Sequence, residues 1–150
     1  MDNPVCFLFG HGTTPHNSIA DIEAAAERHY HNYGIRKFFV GNRGSFDHLA
    51  ATAIKLLKKR HLDVSLFLLL SYHPAERTVY LTEGFDDSYY PPLENVPRRY
   101  AIIRANRFMI DHADSIICYV NHGGNAGGLL EYARRQQKKR NLIIENVAEK

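Results

Sequence analysis

Within this 150-residue sequence, the segment Gly123-Gly124-Asn125-Ala126-Gly127-Gly128 is the part best built to hold a charged ligand. Glycines let backbone N–H groups come close to a bound group, and a helix starting behind them presents its positive end to an anion. The dipole alone is worth about 0.3–1 kcal/mol at an exposed site, so several N–H donors must share a phosphate. The alternative is a flexible turn with glycine caps. A second turn, Gly10-His11-Gly12-Thr13-Thr14-Pro15, adds hydroxyls suited to a phosphate or ribose, or is an ordinary turn. A third runs Gly41-Asn42-Arg43-Gly44-Ser45-Phe46-Asp47. There Arg43 either meets phosphate or is solvated, and Ser45 is placed as a helix N-cap. Asp47 would complement the helix dipole; as a ligand contact it suits ribose hydroxyls or a cationic base, because a carboxylate repels phosphate. His11 and His122, on two of these turns, form either an acid–base pair or metal ligands, although no third ligand is evident. His29 and His31 read as exposed helix-end residues.

These turns need a frame. Five short apolar runs, Val5–Phe9, Lys37–Val40, Val64–Leu70, Ser115–Val120 and Asn141–Asn146, are continuous rather than alternating. Strands buried on both faces of a parallel sheet have that character. Between them lie helical spacings: Ile19, Ile22, Ala26, Tyr30 and Tyr33, opened by Ser18 and Asp21 as a capping box; then Phe46, Leu49, Ala53, Ile54 and Leu57. A third helix, over 97–113, gathers Ile102, Ile103, Met109, Ile110 and Ala113 on one side with Asn106 at the centre of that face. Leu129, Leu130 and Ala133 mark a fourth. Alternation of this kind predicts an α/β fold: a single Rossmann-like, doubly wound, mostly parallel five-stranded sheet with helices on both faces. With the common strand order 3-2-1-4-5, the first and fourth strands flank the switch point, where ligands bind beyond the carboxyl ends. The turns at 10–16 and 121–128 then meet there, with 41–44 alongside.

On the third helix, a buried Asn106 either pins the neighbouring loops or contacts ligand, since an unpaired amide costs about 1–3 kcal/mol. Arg99 projects near the same side as a candidate phosphate partner. Arg107 and Asp111, four apart on the opposite side, read as a surface ion pair. Residues 71–96 break the rhythm with three prolines, five aromatics and five acids. The aromatics argue against disorder, so an ordered flap or insertion is expected, with a short strand at Thr78–Leu81.

Composition closes off several classes. A net charge of +3, spread along the chain, argues against nucleic acid as a partner. The basic run from Arg134 to Arg140 suits a helix C-terminus, and it has no interleaved aromatics for stacking bases. Cys6 and Cys118 lie in apolar runs, as buried thiols of a reducing compartment do. With no signal-peptide pattern and no apolar run near about 18 residues, the expected location is cytoplasmic, away from membranes. No cofactor is implied, and residues 1–150 read as one domain.

The run from Arg104 through Asn106, Arg107, Met109 and Asp114, followed by the glycine segment and Leu130-Glu131-Tyr132-Ala133, resembles the SLOG superfamily. That superfamily includes the lonely-guy phosphoribohydrolases and the DNA-processing protein A fold; the similarity is greatest to uncharacterised short bacterial members. Phe39-Val40-Gly41 with Phe46-Asp47 extends the likeness over most of the chain. The phosphoribohydrolases carry a Gly-Gly-x-Gly-Thr-x-x-Glu loop. Aligned on its glutamate, the resemblance implies Glu131 in the catalytic place, with Gly124 and Gly127 in register. Asn125 then stands for the second glycine, Gly128 for the threonine, and Ala105 for the catalytic arginine. A glycine crevice beside an incomplete catalytic pattern leads to binding or sensing of a nucleotide or nucleotide-derived phosphorylated small molecule. The alternatives are an N-glycosidase, phosphoribohydrolase or (deoxy)ribosyl transferase acting on nucleoside monophosphates, and a DNA-binding accessory protein. Related folds often dimerise through helices beside the site, so a homodimer is a possible state.

Overall fold

The computed structural model describes residues 3–149. Ten regular elements follow one another, strand and helix alternating except where the fourth strand succeeds the third directly: β1 (Val5–Gly10), α1 (Ile19–Tyr33), β2 (Lys37–Val40), α2 (Ser45–Arg60) and β3 (Ser65–Leu69). They continue with β4 (Asp87–Tyr89), α3 (Ala101–His112), β5 (Ser115–Tyr119), α4 (Gly124–Gln137) and β6 (Ile143–Asn146). All strands are parallel, in the order β4-β3-β2-β1-β5-β6. The sheet therefore has six strands rather than five. The order of the five foreseen strands is the one assumed, and the additional strand extends the edge beyond β3.

Successive side chains on each strand point to opposite faces, so both faces need cover. Cys6, Leu8, Phe38, Val40 and Leu66 pack with α1 and α2 on one side. Val5, Phe7, Phe9, Ile116 and Cys118 pack with α3 and α4 on the other. This two-sided burial is why the strand sequences lack polar alternation. Both cysteines are buried and unpaired, and loss of solvation pushes their thiols up to about 12.

The added strand falls at Asp87–Tyr89, not at Thr78–Leu81, which is irregular. Polar anchors rather than apolar periodicity place it. Asp86 exchanges hydrogen bonds with Leu66: its N–H donates to the Leu66 carbonyl at 2.8 Å and its carboxylate accepts the Leu66 N–H at 2.7 Å. From α2, Lys58 Nζ donates to Gly84 O and Asp86 Oδ2, each at 2.6 Å.

Four local expectations are corrected. Ser18 has helical backbone angles, ends a 3-10 turn and makes no side-chain cap, so no capping box forms with Asp21. Gly44, not Ser45, precedes the first residue of α2 as its N-cap. The buried stripe of α3 is Ala101, Ala105, Met109 and Ile110, whereas Ile102 and Ile103 are exposed; the alanines fit closest to the sheet and turn both isoleucines outward. His29 is fully buried, with Nδ1 2.8 Å from Ser115 Oγ and Nε2 3.1 Å from Glu145 Oε1. His31 is exposed as expected.

Candidate functional site

At the carboxyl edge of the sheet, the turns after β1 and β5 meet beside the turn after β2 and enclose a cavity of about 430 Å³. This is the switch point, since chain order runs outward from β1 through β2 on one side and begins again at β5 on the other. The first turn supplies Gly10, His11, Gly12 and Thr13; the second supplies Gly41, Arg43 and Asp47; the last supplies Gly123, Gly124 and Asn125. Asn106 reaches the cavity from α3.

The turns are held together by contacts that only small residues allow. A Cβ on Gly44 would lie 2.9 Å from Gly12 Cα, so this glycine serves close approach of two backbones rather than the cavity wall. Ser45, freed from capping, donates its hydroxyl to Thr14 O at 2.7 Å, and its N–H donates to Gly12 O at 3.3 Å. Buried Thr14 closes its own turn through the His11 carbonyl at 2.6 Å. At the other turn, Asn146 Oδ1 accepts the Val120 N–H at 3.0 Å and its Nδ2 donates to Val120 O at 2.8 Å. This asparagine extends the β5–β6 ladder by side chain and braces the start of the glycine segment. Gly127 packs against that turn: a Cβ there would sit 2.9 Å from His122 O. Gly124 has φ +78°, a left-handed conformation that favours glycine.

Two helix N-termini face this region, and they differ. The α2 terminus carries its own carboxylate: Asp47 Oδ2 accepts the Arg43 N–H at 2.8 Å. A Cβ on Gly41 would stand 2.9 Å from the same oxygen, so the missing side chain makes room for it. Burial pushes the Asp47 carboxyl up from 3.8 to about 6, against the opposing effects of the Arg43 N–H and guanidinium. The α4 terminus has no acidic residue in its first turn and no side-chain cap. Its leading N–H groups have no acceptor among the described residues and point their donors at an incoming anion.

His11 and His122 stack, with ring centroids 3.6 Å apart and planes 6° from parallel. Ring nitrogens in parallel planes do not converge on one ion, so this pair is not a chelate. His11 Nε2 accepts the Asn121 N–H at 3.2 Å, which assigns the His11 proton to Nδ1. Burial, then the neighbouring His122, lowers the His11 pKa. His122 is the exposed partner, held by Asn121 Oδ1 at 2.7 Å from its Nδ1. Asn106 is half-buried rather than buried, and its side chain makes no hydrogen bond among the described residues, so it does not pin the loops. Arg43 leans toward Tyr72, 5.5 Å from the ring centroid.

Other candidates lie apart. Glu131 is exposed in a separate depression with Gly127 and Gly128, which shares only His122, Gly123 and Gly124 with the cavity. Arg99 opens a groove between α3 and α4 that meets the cavity at Asn106. Arg107 lies 5.0 Å from the Tyr132 ring centroid, and Asp111 accepts the Tyr132 hydroxyl at 2.6 Å; the expected Arg107–Asp111 pair does not form. Arg140 leaves the basic run to donate to the Ala113 carbonyl at 2.8 Å, and it also bonds Ile110 O, tying off α3. The bracing roles of Asn146, Thr14 and Ser45 were not foreseen; buried polar residues beside glycine turns were the signal available.

No protein-family model matches the chain, and no curated protein matches it. Among solved structures, the Chlamydomonas rheinhardtii Moco carrier protein is similar, with a TM-score of 0.52 at 13% identity over 95% of this chain and 75% of that one. The likeness establishes the Rossmann-like α/β fold. SLOG membership rests on the sequence resemblance alone. Among the described residues, no helix is long and apolar enough to cross a membrane.

Proposed function

We propose that the chain binds or senses a nucleotide or nucleotide-derived phosphorylated small molecule in the cavity at the switch point, without turning it over. The observation that carries this is the inequality of the two helix ends: α2 is occupied by Asp47, whereas α4 offers unclaimed amides. The phosphate goes to Gly123, Gly124 and Asn125, with Gly12 and Thr13 opposite. Asp47 and Asn106 take the ribose hydroxyls, and the outer face of His122 offers a surface for the base. Arg43, in the cavity wall, remains a second partner for the phosphate, and Arg99 lies in the groove that joins the cavity at Asn106. The similar solved protein is a carrier by name, which favours holding a ligand over converting it. Glu131, the catalytic candidate, stands outside the cavity, and this weighs against cleavage of a glycosidic bond there.

The test pairs thermal unfolding with chromatography. Adenosine monophosphate at about 100 times its dissociation constant adds about 2.7 kcal/mol to stability. In Asn125→Asp, a carboxylate at the start of α4 should cancel that gain while leaving the ligand-free protein as stable, because acids favour a helix N-terminus. An unchanged shift in the variant would remove the α4 amides from the site. Released base that disappears in Glu131→Gln would make the protein an enzyme instead.

A further inference from the structure

We propose a second site, for a zinc-like divalent cation, formed by Glu27, His31 and His61 at the end of the molecule opposite the cavity. Glu27 and His31 are one helical turn apart on α1, so both project from the same face. His61 ends α2, where its N–H donates to Leu57 O at 3.0 Å. Each of these helices returns to the amino end of the next strand, β2 or β3. The cluster therefore sits at the amino edge of the sheet, a full helix length from the turns that build the cavity.

The geometry is that of converging ligands. Glu27 Oε2 lies 2.5 Å from His61 Nε2 and 3.1 Å from His31 Nε2, and the three ligand atoms all lie within 4.8 Å of one another. The two imidazole planes are 84° apart, so both nitrogens approach one point without their rings colliding. This is the reverse of the parallel pair in the cavity. The surroundings hold the ligands in place. Tyr30 stacks on His61 at 4.0 Å, and its hydroxyl donates to Asp63 at 2.8 Å. Arg60 donates to Glu27 Oε1, the oxygen facing away from the histidines, from Nε at 3.2 Å and Nη2 at 3.1 Å. An outer hydrogen bond of this kind orients a metal-binding carboxylate.

Two imidazoles and one carboxylate suit zinc, nickel or copper rather than magnesium or calcium, which prefer all-oxygen sets. Three protein ligands leave a fourth position for water or an incoming group. Without metal, each Nε2 faces a carboxylate oxygen and carries the proton; with metal, that proton moves through solvent to Nδ1, and the Nε2 lone pair binds. His31 is the most exposed ligand, with 58% of its side chain accessible, so the cation has a direct route in.

Calorimetric titration of the metal-free full chain with Zn2+ tests the assignment. One equivalent should bind. His31→Ala and His61→Ala should each weaken binding by more than about tenfold, the least that loss of even an outer partner costs. Glu27→Gln, which keeps the shape and helix propensity of the position, should do the same. Asn125→Asp, in the cavity, should bind Zn2+ as the parent does. Co2+ should give visible absorption bands in the parent that are absent from the His31→Ala/His61→Ala double variant. Failure of the parent to bind one equivalent, or undiminished binding in the double variant, would overturn the proposal. Neither result bears on the nucleotide site.

Discussion

Replacing Asp47 with asparagine should stabilise the ligand-free protein and weaken its hold on a ribose-bearing ligand. The carboxylate rests against Gly41 and accepts one hydrogen bond from the Arg43 amide. Asparagine keeps that acceptor through Oδ1 and carries no charge. Burial raises the folded pKa of Asp47 from 3.8 to about 6, so below 3.8 the residue is protonated in both folded and unfolded chains and costs nothing. Between pH 3.8 and about 6 the unfolded chain gives up this proton while the folded chain keeps it, so stability falls across that window and the loss is complete above it. Taken whole, the change corresponds to about 3 kcal/mol at pH 8, at 1.36 kcal/mol per pH unit. Because the side chain is only half-buried, solvent screening reduces this to about 1–3 kcal/mol. Each kcal/mol moves the unfolding midpoint by about 2–4 °C in a chain of this size. Parent and variant should therefore unfold together near pH 4 and separate with rising pH, as measured by calorimetry across that range. A variant equal to the parent at pH 8, or less stable at every pH, would refute the burial argument. If the carboxylate does hold hydroxyls, the stabilised variant should also lose most of its adenosine monophosphate shift.

Three further outcomes follow from the packing. Gly44→Ala should lower both stability and affinity, by about 1–3 kcal/mol in stability, because its Cβ meets Gly12 backbone at 2.9 Å and pushes two turns apart; chemical denaturation and ligand titration measure the two effects. His29 is held neutral by burial, which lowers its pKa below 6.5. The unfolded chain therefore gains a proton that the folded one refuses, and stability should fall as pH drops below 6.5; in His29→Gln this part of the acid sensitivity should disappear from denaturant midpoints. Lys58→Met should loosen the edge formed by Gly84 and Asp86, seen as faster amide exchange around β4 with little change at the cavity.

The sheet was legible because five apolar runs are too continuous for half-exposed strands, and the common strand order assumed for them brought Gly10–Thr13 and Gly123–Asn125 together. The strand at Asp87–Tyr89 was not legible, since its three residues have no apolar run and depend on Asp86 meeting Leu66 and Lys58. Helical spacing also misjudged α3. A period of 3.6 identifies a face but does not decide between bulky Ile102 and small Ala105 for the closest contact with the sheet. Capping residues misled for a related reason: Ser45 has a tertiary partner in Thr14 that a local rule cannot see. His29 was missed because a histidine near a helix end is ordinarily solvated, and its partners Ser115 and Glu145 are remote in sequence. Glu131 was aligned on its distance from the glycines, yet the helix turns it into the neighbouring depression.

The account turns on where an anion settles. Titration of 15N-labelled protein with adenosine monophosphate, followed through backbone amide resonances, should shift Gly123, Gly124 and Asn125 most, with Gly12 and Thr13 close behind. Shifts centred on Ser45 and Phe46 at the head of α2, or none in the glycine turn after β5, would contradict it.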